Sequence, residues 1–142
     1  MTRDILATRW TELGQKIVTL AEEYPAGQYN SRPADGVRNF AEQLRHIAFW
    51  NRYVEQTLLG RPADGDANEL PAKEYSTKAR IVTALRASFE DVSTRLGRLP
   101  GTPDIATADQ LLSFIEHNGE HYGQLVLYYR LNNLVPPASR AA

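Results

Sequence analysis

The chain has 142 residues, of which 42% are hydrophobic and 23% charged, and this composition predicts one globular domain over residues 1–142. The net charge of −1, with basic residues scattered along the chain, excludes an electrostatic surface for nucleic acid or for an anionic membrane. No apolar stretch is long enough to span a bilayer and none resembles a signal peptide, so we expect a cytoplasmic protein.

The first two elements are predicted to be amphipathic helices, because their apolar residues recur at steps of three and four. The first covers about residues 2–24 and stops at Pro25. The second covers about residues 39–60, where Asn39 and Glu42 match the N-cap and N3 positions of a capping box.

The third and fourth helices are predicted from the same period, over about residues 74–99 and 107–132. Thr107 and Gln110 match a second capping box, which places the start of the fourth helix at Thr107. Four such helices predict an all-α four-helix bundle. The connection over residues 60–73 exceeds the roughly two to eight residues of a bundle hairpin, so it leaves room for the second and third helices to run parallel.

The three histidines of the chain, His46, His117 and His121, all fall inside predicted helices. His117 and His121 are four residues apart, so their imidazoles share one face and can reach the same ion. The helical period places all three at the edge of the apolar faces, where two helices could hold an ion partly open to solvent. The alternative is that they are ordinary surface or core histidines.

Several neighbours of the histidines are candidates for a pocket. Tyr53, Gln124 and Tyr128 lie on the histidine side of their helices, and we expect them to line it or to orient a substrate. Trp50 is expected to pack in the core instead.

Two glutamates and two glycines of the fourth helix lie away from the histidine side. Their direction disfavours Glu116 and Glu120 as a fourth ligand or a general base. Gly119 and Gly123 lie in mid-helix, which predicts close approach by another helix or by a second subunit.

The segments that carry these residues resemble the DinB-like family. The resemblance lies in residues 40–48 (FAEQLRHIA), 117–130 (HNGEHYGQLVLYYR) and 131–140 (LNNLVPPASR). It implies an up-down-down-up bundle that is similar in fold to bacillithiol- and mycothiol-dependent transferases and isomerases. It also implies a metal held by His46, His117 and His121, and homodimers are common among such proteins.

The expected function is therefore a divalent-metal-dependent enzyme, with a thiol transferase-like or hydrolase activity on a small molecule. Zinc or nickel is the expected metal, and iron and copper are also compatible with three imidazoles. The chain has no cysteine, so a thiol would have to be a low-molecular-weight partner. The alternatives are a non-catalytic metal-binding protein of stress response and a helical interaction module with incidental histidines.

Overall fold

A computed structural model describes residues 1–141 of the chain, and its elements follow the sequence prediction closely. Within these residues there is no strand, and none of the helices is both long and apolar enough to cross a membrane. The elements are α1 (Arg3–Glu23), a 3-10 turn (Ala26–Gln28), α2 (Phe40–Leu58), α3 (Lys78–Leu96), α4 (Ile105–Leu131) and a second 3-10 turn (Pro137–Ser139).

The first two helices begin where their capping residues predict. Thr2 caps α1 by accepting a hydrogen bond from the Ile5 N–H. The predicted capping box of α2 is confirmed, because the Glu42 N–H donates to Asn39 Oδ1 and the Asn39 N–H donates to Glu42 Oε1.

The predicted start of α3 at Glu74 is wrong. Pro71, Glu74 and Tyr75 form a separate turn, in which the Pro71 carbonyl accepts from the other two N–H groups. Thr77 then caps α3, whose first residue is Lys78, and the helix ends at Leu96 rather than at residue 99.

The predicted start of α4 at Thr107 is also wrong. Asp104 is the N-cap, and its carboxylate accepts from the Thr107 N–H at 2.8 Å, which holds the pKa of Asp104 below its usual value. A carboxylate suits the positive end of a helix better than a hydroxyl does, so the helix begins one turn earlier. Gln110 is therefore inside the helix, where its amide donates to Thr57 Oγ1.

The four helices pack so that α1 and α2 each lie against α3 and α4. Two contacts at different heights of each helix pair show that α2 is parallel to α3, that α1 is antiparallel to α3, and that α2 is antiparallel to α4. The bundle is thus up-down-down-up, as predicted. The α2–α3 contacts are Asn51–Ser88 and Glu55–Arg95. Those that relate α1 to α3 are Tyr24–Lys78 and Arg3–Gly101. The α2–α4 contacts are Gln43–Gln124 and Thr57–Gln110.

A buried polar network joins α2, α3 and α4 in the middle of the bundle. Asn118 donates to Asn51 Oδ1, and Asn51 donates to Ser88 Oγ, with all three side chains at most 2% exposed. Such buried groups favour the one helix register in which they find partners. The register fixed here is also the one that brings the histidine-bearing parts of α2 and α4 side by side.

Candidate metal centre

The three histidines converge between α2 and α4. His46 comes from α2, and His117 and His121 come from successive turns of α4. One ring nitrogen of each lies within 4.8 Å of those of the other two. The Nε2 atoms of His46 and His117 are 3.1 Å apart. The structure therefore assembles the three side chains that the sequence singled out from two distant segments.

Backbone and side-chain acceptors orient two of the imidazoles. His46 Nδ1 is 2.7 Å from the Asn68 carbonyl oxygen, and His121 Nδ1 is 2.6 Å from Gln43 Oε1. These oxygens can only accept, so the network assigns the ring proton to Nδ1 and leaves Nε2 of both rings with a free lone pair. This arrangement is typical of metal-binding histidines.

The separation of the His46 and His117 nitrogens fits a divalent ion. Two imidazole nitrogens that hold one ion at about 2.0–2.1 Å lie roughly 2.9–3.4 Å apart, and His46 and His117 fall in this range. Two lone pairs facing each other at that distance repel unless a proton or a cation lies between them. His117 Nδ1 is buried with no hydrogen-bond partner among residues 1–141, and the neighbouring Asn118 Oδ1 is equally unsatisfied.

Burial keeps the imidazoles neutral. His46 and His121 are only 6% and 7% exposed, while His117 is half-buried. Burial is the main cause that lowers the pKa of His46 to about 4 and that of His121 to about 3, and it also lowers the pKa of His117. Neutral imidazole is the form that binds a metal. The helical period predicted an intermediate exposure for all three, and only His117 has it.

The long connection between α2 and α3 explains the burial of His46. Its residue Asn68 has φ +60° and directs its carbonyl at His46. Asn68 Oδ1 also accepts from the Trp50 indole N–H at 2.8 Å. Next to it, Glu69 pairs with the buried Arg45, and Leu70 is buried in the core. This part of the connection is therefore fixed over the histidines.

We expect Asn68→Ala to destabilise the protein by about 1–2 kcal/mol more than Asn68→Gly, because glycine adopts a positive φ without strain. Asn133 also has a positive φ, 58°, and lies outside the α2–α3 connection, so Asn133→Ala and Asn133→Gly are the matched controls. Urea unfolding of the four variants measures the strain, and metal titration measures the effect on the site. Only the Asn68→Ala variant should lose metal affinity, by about tenfold. An equal loss in Asn133→Ala would show that general stability, not the position of His46, is responsible.

Aromatic rings form one wall of the cluster. Trp50 lies edge-on to His46 and His117, with ring centroids 6.5 and 6.4 Å away, and Phe114 lies 6.2 Å from His117. The prediction that Trp50 packs in the core is wrong in part, since Trp50 is half-buried and borders the histidines. Tyr53, a predicted pocket residue, packs on Trp50 and Phe114.

Gln124 and Tyr128, the other predicted pocket residues, are linked to His121 through Gln43. The Gln43 amide donates to Gln124 Oε1 at 2.5 Å and lies 3.3 Å from the Tyr128 hydroxyl, while its oxygen faces His121. Gln43 lies three residues before His46 in the sequence, which gave no sign that this side chain connects His121 with two residues of α4.

The acidic neighbours of the histidines contribute no ligand atom to the cluster in the described part of the chain. Glu116 and Glu120 are exposed. Burial acts to raise the pKa of Glu42, but the Asn39 N–H and the Arg32 guanidinium outweigh it and hold that pKa below its ordinary value. Glu42 is thus a capping residue, as expected.

The close approach predicted at the two mid-helix glycines is not found within the chain. Gly119 and Gly123 are exposed, and a Cβ added to either would have no neighbour within 4 Å in the described structure. They lie on the outer side of α4, facing away from the other helices. Approach by a second subunit stays a prediction.

The fold and the cluster define a class of protein: a four-helix bundle with a candidate three-histidine metal centre. A family model for the DinB superfamily matches residues 9–125, which are most of the chain and include all three histidines. The chain therefore belongs to the DinB superfamily. Comparison with curated proteins gave no match, and comparison with solved structures gave none either.

Proposed function

We propose that this protein is a divalent-metal-dependent enzyme, in which His46, His117 and His121 hold the ion and a thiol or a water molecule attacks a small electrophilic substrate. The observation that carries the proposal is the convergence of three neutral imidazoles, two of which have Nε2 left free by a fixed partner at Nδ1. A divalent ion held by three imidazoles lowers the pKa of a thiol or a water molecule and so supplies a nucleophile near neutral pH.

The residues around the histidines support this chemistry by holding the rings still. Asn68 and Gln43 fix the orientation of His46 and His121, so little reorganisation is needed when an ion binds. Trp50 and Phe114 exclude water from one side, which strengthens electrostatic interactions in the site. In a transfer reaction the thiol would release its proton, its sulfur would bond to the electrophilic carbon, and the leaving group would depart with the electron pair.

Elemental analysis of tag-free protein tests the metal site. Wild-type protein is expected to contain close to one equivalent of zinc or nickel after incubation with the ions, and His117→Ala almost none. His117 is half-buried, so its replacement leaves the core intact. Gln110→Ala, on the same helix, is the control that should keep its metal. An absence of metal from wild-type protein would rule out the proposed enzyme.

A second function, metal binding without catalysis, is favoured by the burial of His46 and His121. The two functions differ in whether a small molecule can reach the ion. In protein loaded with cobalt, an added thiol changes the visible spectrum only if it coordinates the ion. A spectral change favours the enzyme, and an unchanged spectrum both with every thiol tested and with azide, a small anion that can replace a bound water molecule, favours the non-catalytic protein.

A further inference from the structure

A cleft of about 900 Å³ opens beside the histidine cluster, between the α1–α2 connection and the C-terminal half of α4. Its walls combine two arginines, three polar side chains and several apolar ones, and no carboxylate. The lining residues that matter here are Arg32, Arg38, Gln43, Gln124, Tyr128 and Leu127.

The two arginines of the cleft differ in their partners. Arg32 pairs with Glu42 at 2.8 Å and also donates to the Val37 carbonyl, so its charge is compensated. Arg38 is half-buried, and its guanidinium forms no ion pair or hydrogen bond with any residue from 1 to 141. The main-chain carbonyl of Arg38 accepts from the Tyr128 hydroxyl, which holds the backbone in place. The cleft therefore presents one cation without a counter-ion on a fixed part of the chain.

The cleft and the histidine cluster share a wall. Gln43 lines the cleft, and its Oε1 faces His121 Nδ1 at 2.6 Å. No histidine lines the cleft itself, so the side chain of Gln43 separates a small molecule seated there from His121.

We propose that this cleft binds the carboxylate of a small organic acid, with Arg38 as its ion-pair partner and the reacting end of the molecule directed to the histidines. The guanidinium matches a carboxylate in shape and charge, and one uncompensated cation fits one carboxylate. The apolar side chains of Val37, Leu127 and Leu131 suit the carbon chain of the acid. This inference rests on the proposed function, because it names the class of substrate or thiol that the site takes.

The inference is tested on zinc-loaded protein with a series of ω-mercaptoalkanoic acids of increasing chain length. Each acid is compared with its primary amide, which has the same chain but no charge. Calorimetry at low salt is expected to show that at least one acid binds the wild type about tenfold more tightly than its amide. Arg38→Gln should reduce this preference to about twofold or less. Arg61→Gln, which removes an exposed arginine of the α2–α3 connection, should leave it unchanged.

A second measurement separates this inference from the proposed function. Hexanoate and hexanamide carry no thiol and need no metal, and their binding to metal-free protein is followed through the backbone amide NMR signals of Val37 and Leu127, which line the cleft and are present in every variant. A shift with hexanoate alone that Arg38→Gln abolishes supports the carboxylate subsite even if the protein binds no metal. Equal binding of acid and amide in both measurements, or a preference that survives Arg38→Gln, would overturn the subsite and leave the metal centre untouched.

Discussion

Zinc is expected to raise the midpoint of thermal unfolding of the metal-free protein by about 5–10 °C at a free concentration roughly 100 times the dissociation constant. An ion that binds only the folded state adds about 2.7 kcal/mol to the free energy of unfolding at that ratio. For a domain of this size, each kcal/mol shifts the midpoint by about 2–4 °C. The metal site is absent from the unfolded chain, because His46 lies on a different helix from the other two ligands.

Two histidine variants make the test specific. His117→Ala and His121→Ala should both remove the shift, since two remaining imidazoles hold an ion weakly. His121 is buried, so its loss also leaves a cavity and lowers the midpoint without zinc, whereas the half-buried His117 is less sensitive. Gln110→Ala should keep the full shift. A zinc-dependent shift that persists in both histidine variants would place the ion elsewhere.

Local sequence patterns predicted the helices well, because helix formation depends on neighbours three and four residues apart. The apolar period located all four helices, and the Asn39–Glu42 capping box located the start of α2. The start of α4 was misplaced because Thr107 and Gln110 match a capping box, while Asp104, three residues earlier, is also a residue type that caps helices. In the fold, the carboxylate of Asp104 caps the helix.

The candidate site was predictable only where it depends on helical spacing. His117 and His121 share a face because they are four residues apart, and the helical period placed His46 at the matching edge of α2, which the family resemblance supported. Asn68 was missed, because its carbonyl reaches His46 through a connection with no periodic pattern. Arg38 was missed for the same reason, since its position depends on how the α1–α2 connection folds back over α4. The one available signal was that Asn68 is a residue type that tolerates positive φ. That signal indicates a turn, but it does not reveal that the turn covers His46.

Glu69→Gln is expected to lower the free energy of unfolding by about 2 kcal/mol and to weaken zinc binding about tenfold. Arg45 is only 6% exposed, and its ion pair among residues 1–141 is with Glu69, at 3.2 Å. Without the carboxylate, the buried guanidinium keeps its charge but loses its counter-ion, which is costly. The Arg45 carbonyl also accepts from the Leu70 N–H, so this pair lies where the connection is fixed to α2. A looser connection carries the Asn68 carbonyl away from His46.

A double variant and an exposed ion pair complete the test. Arg45→Met combined with Glu69→Gln should recover much of the stability, because no buried charge is left without a partner. Zinc affinity should stay low in the double variant, since the connection is still not tied to α2. The exposed pair of Glu22 and Arg86 is the control, and Glu22→Gln should change stability by less than about 0.5 kcal/mol. If Glu69→Gln loses stability but keeps full zinc affinity, the connection does not position His46, and the orientation of that ring depends on α2 alone.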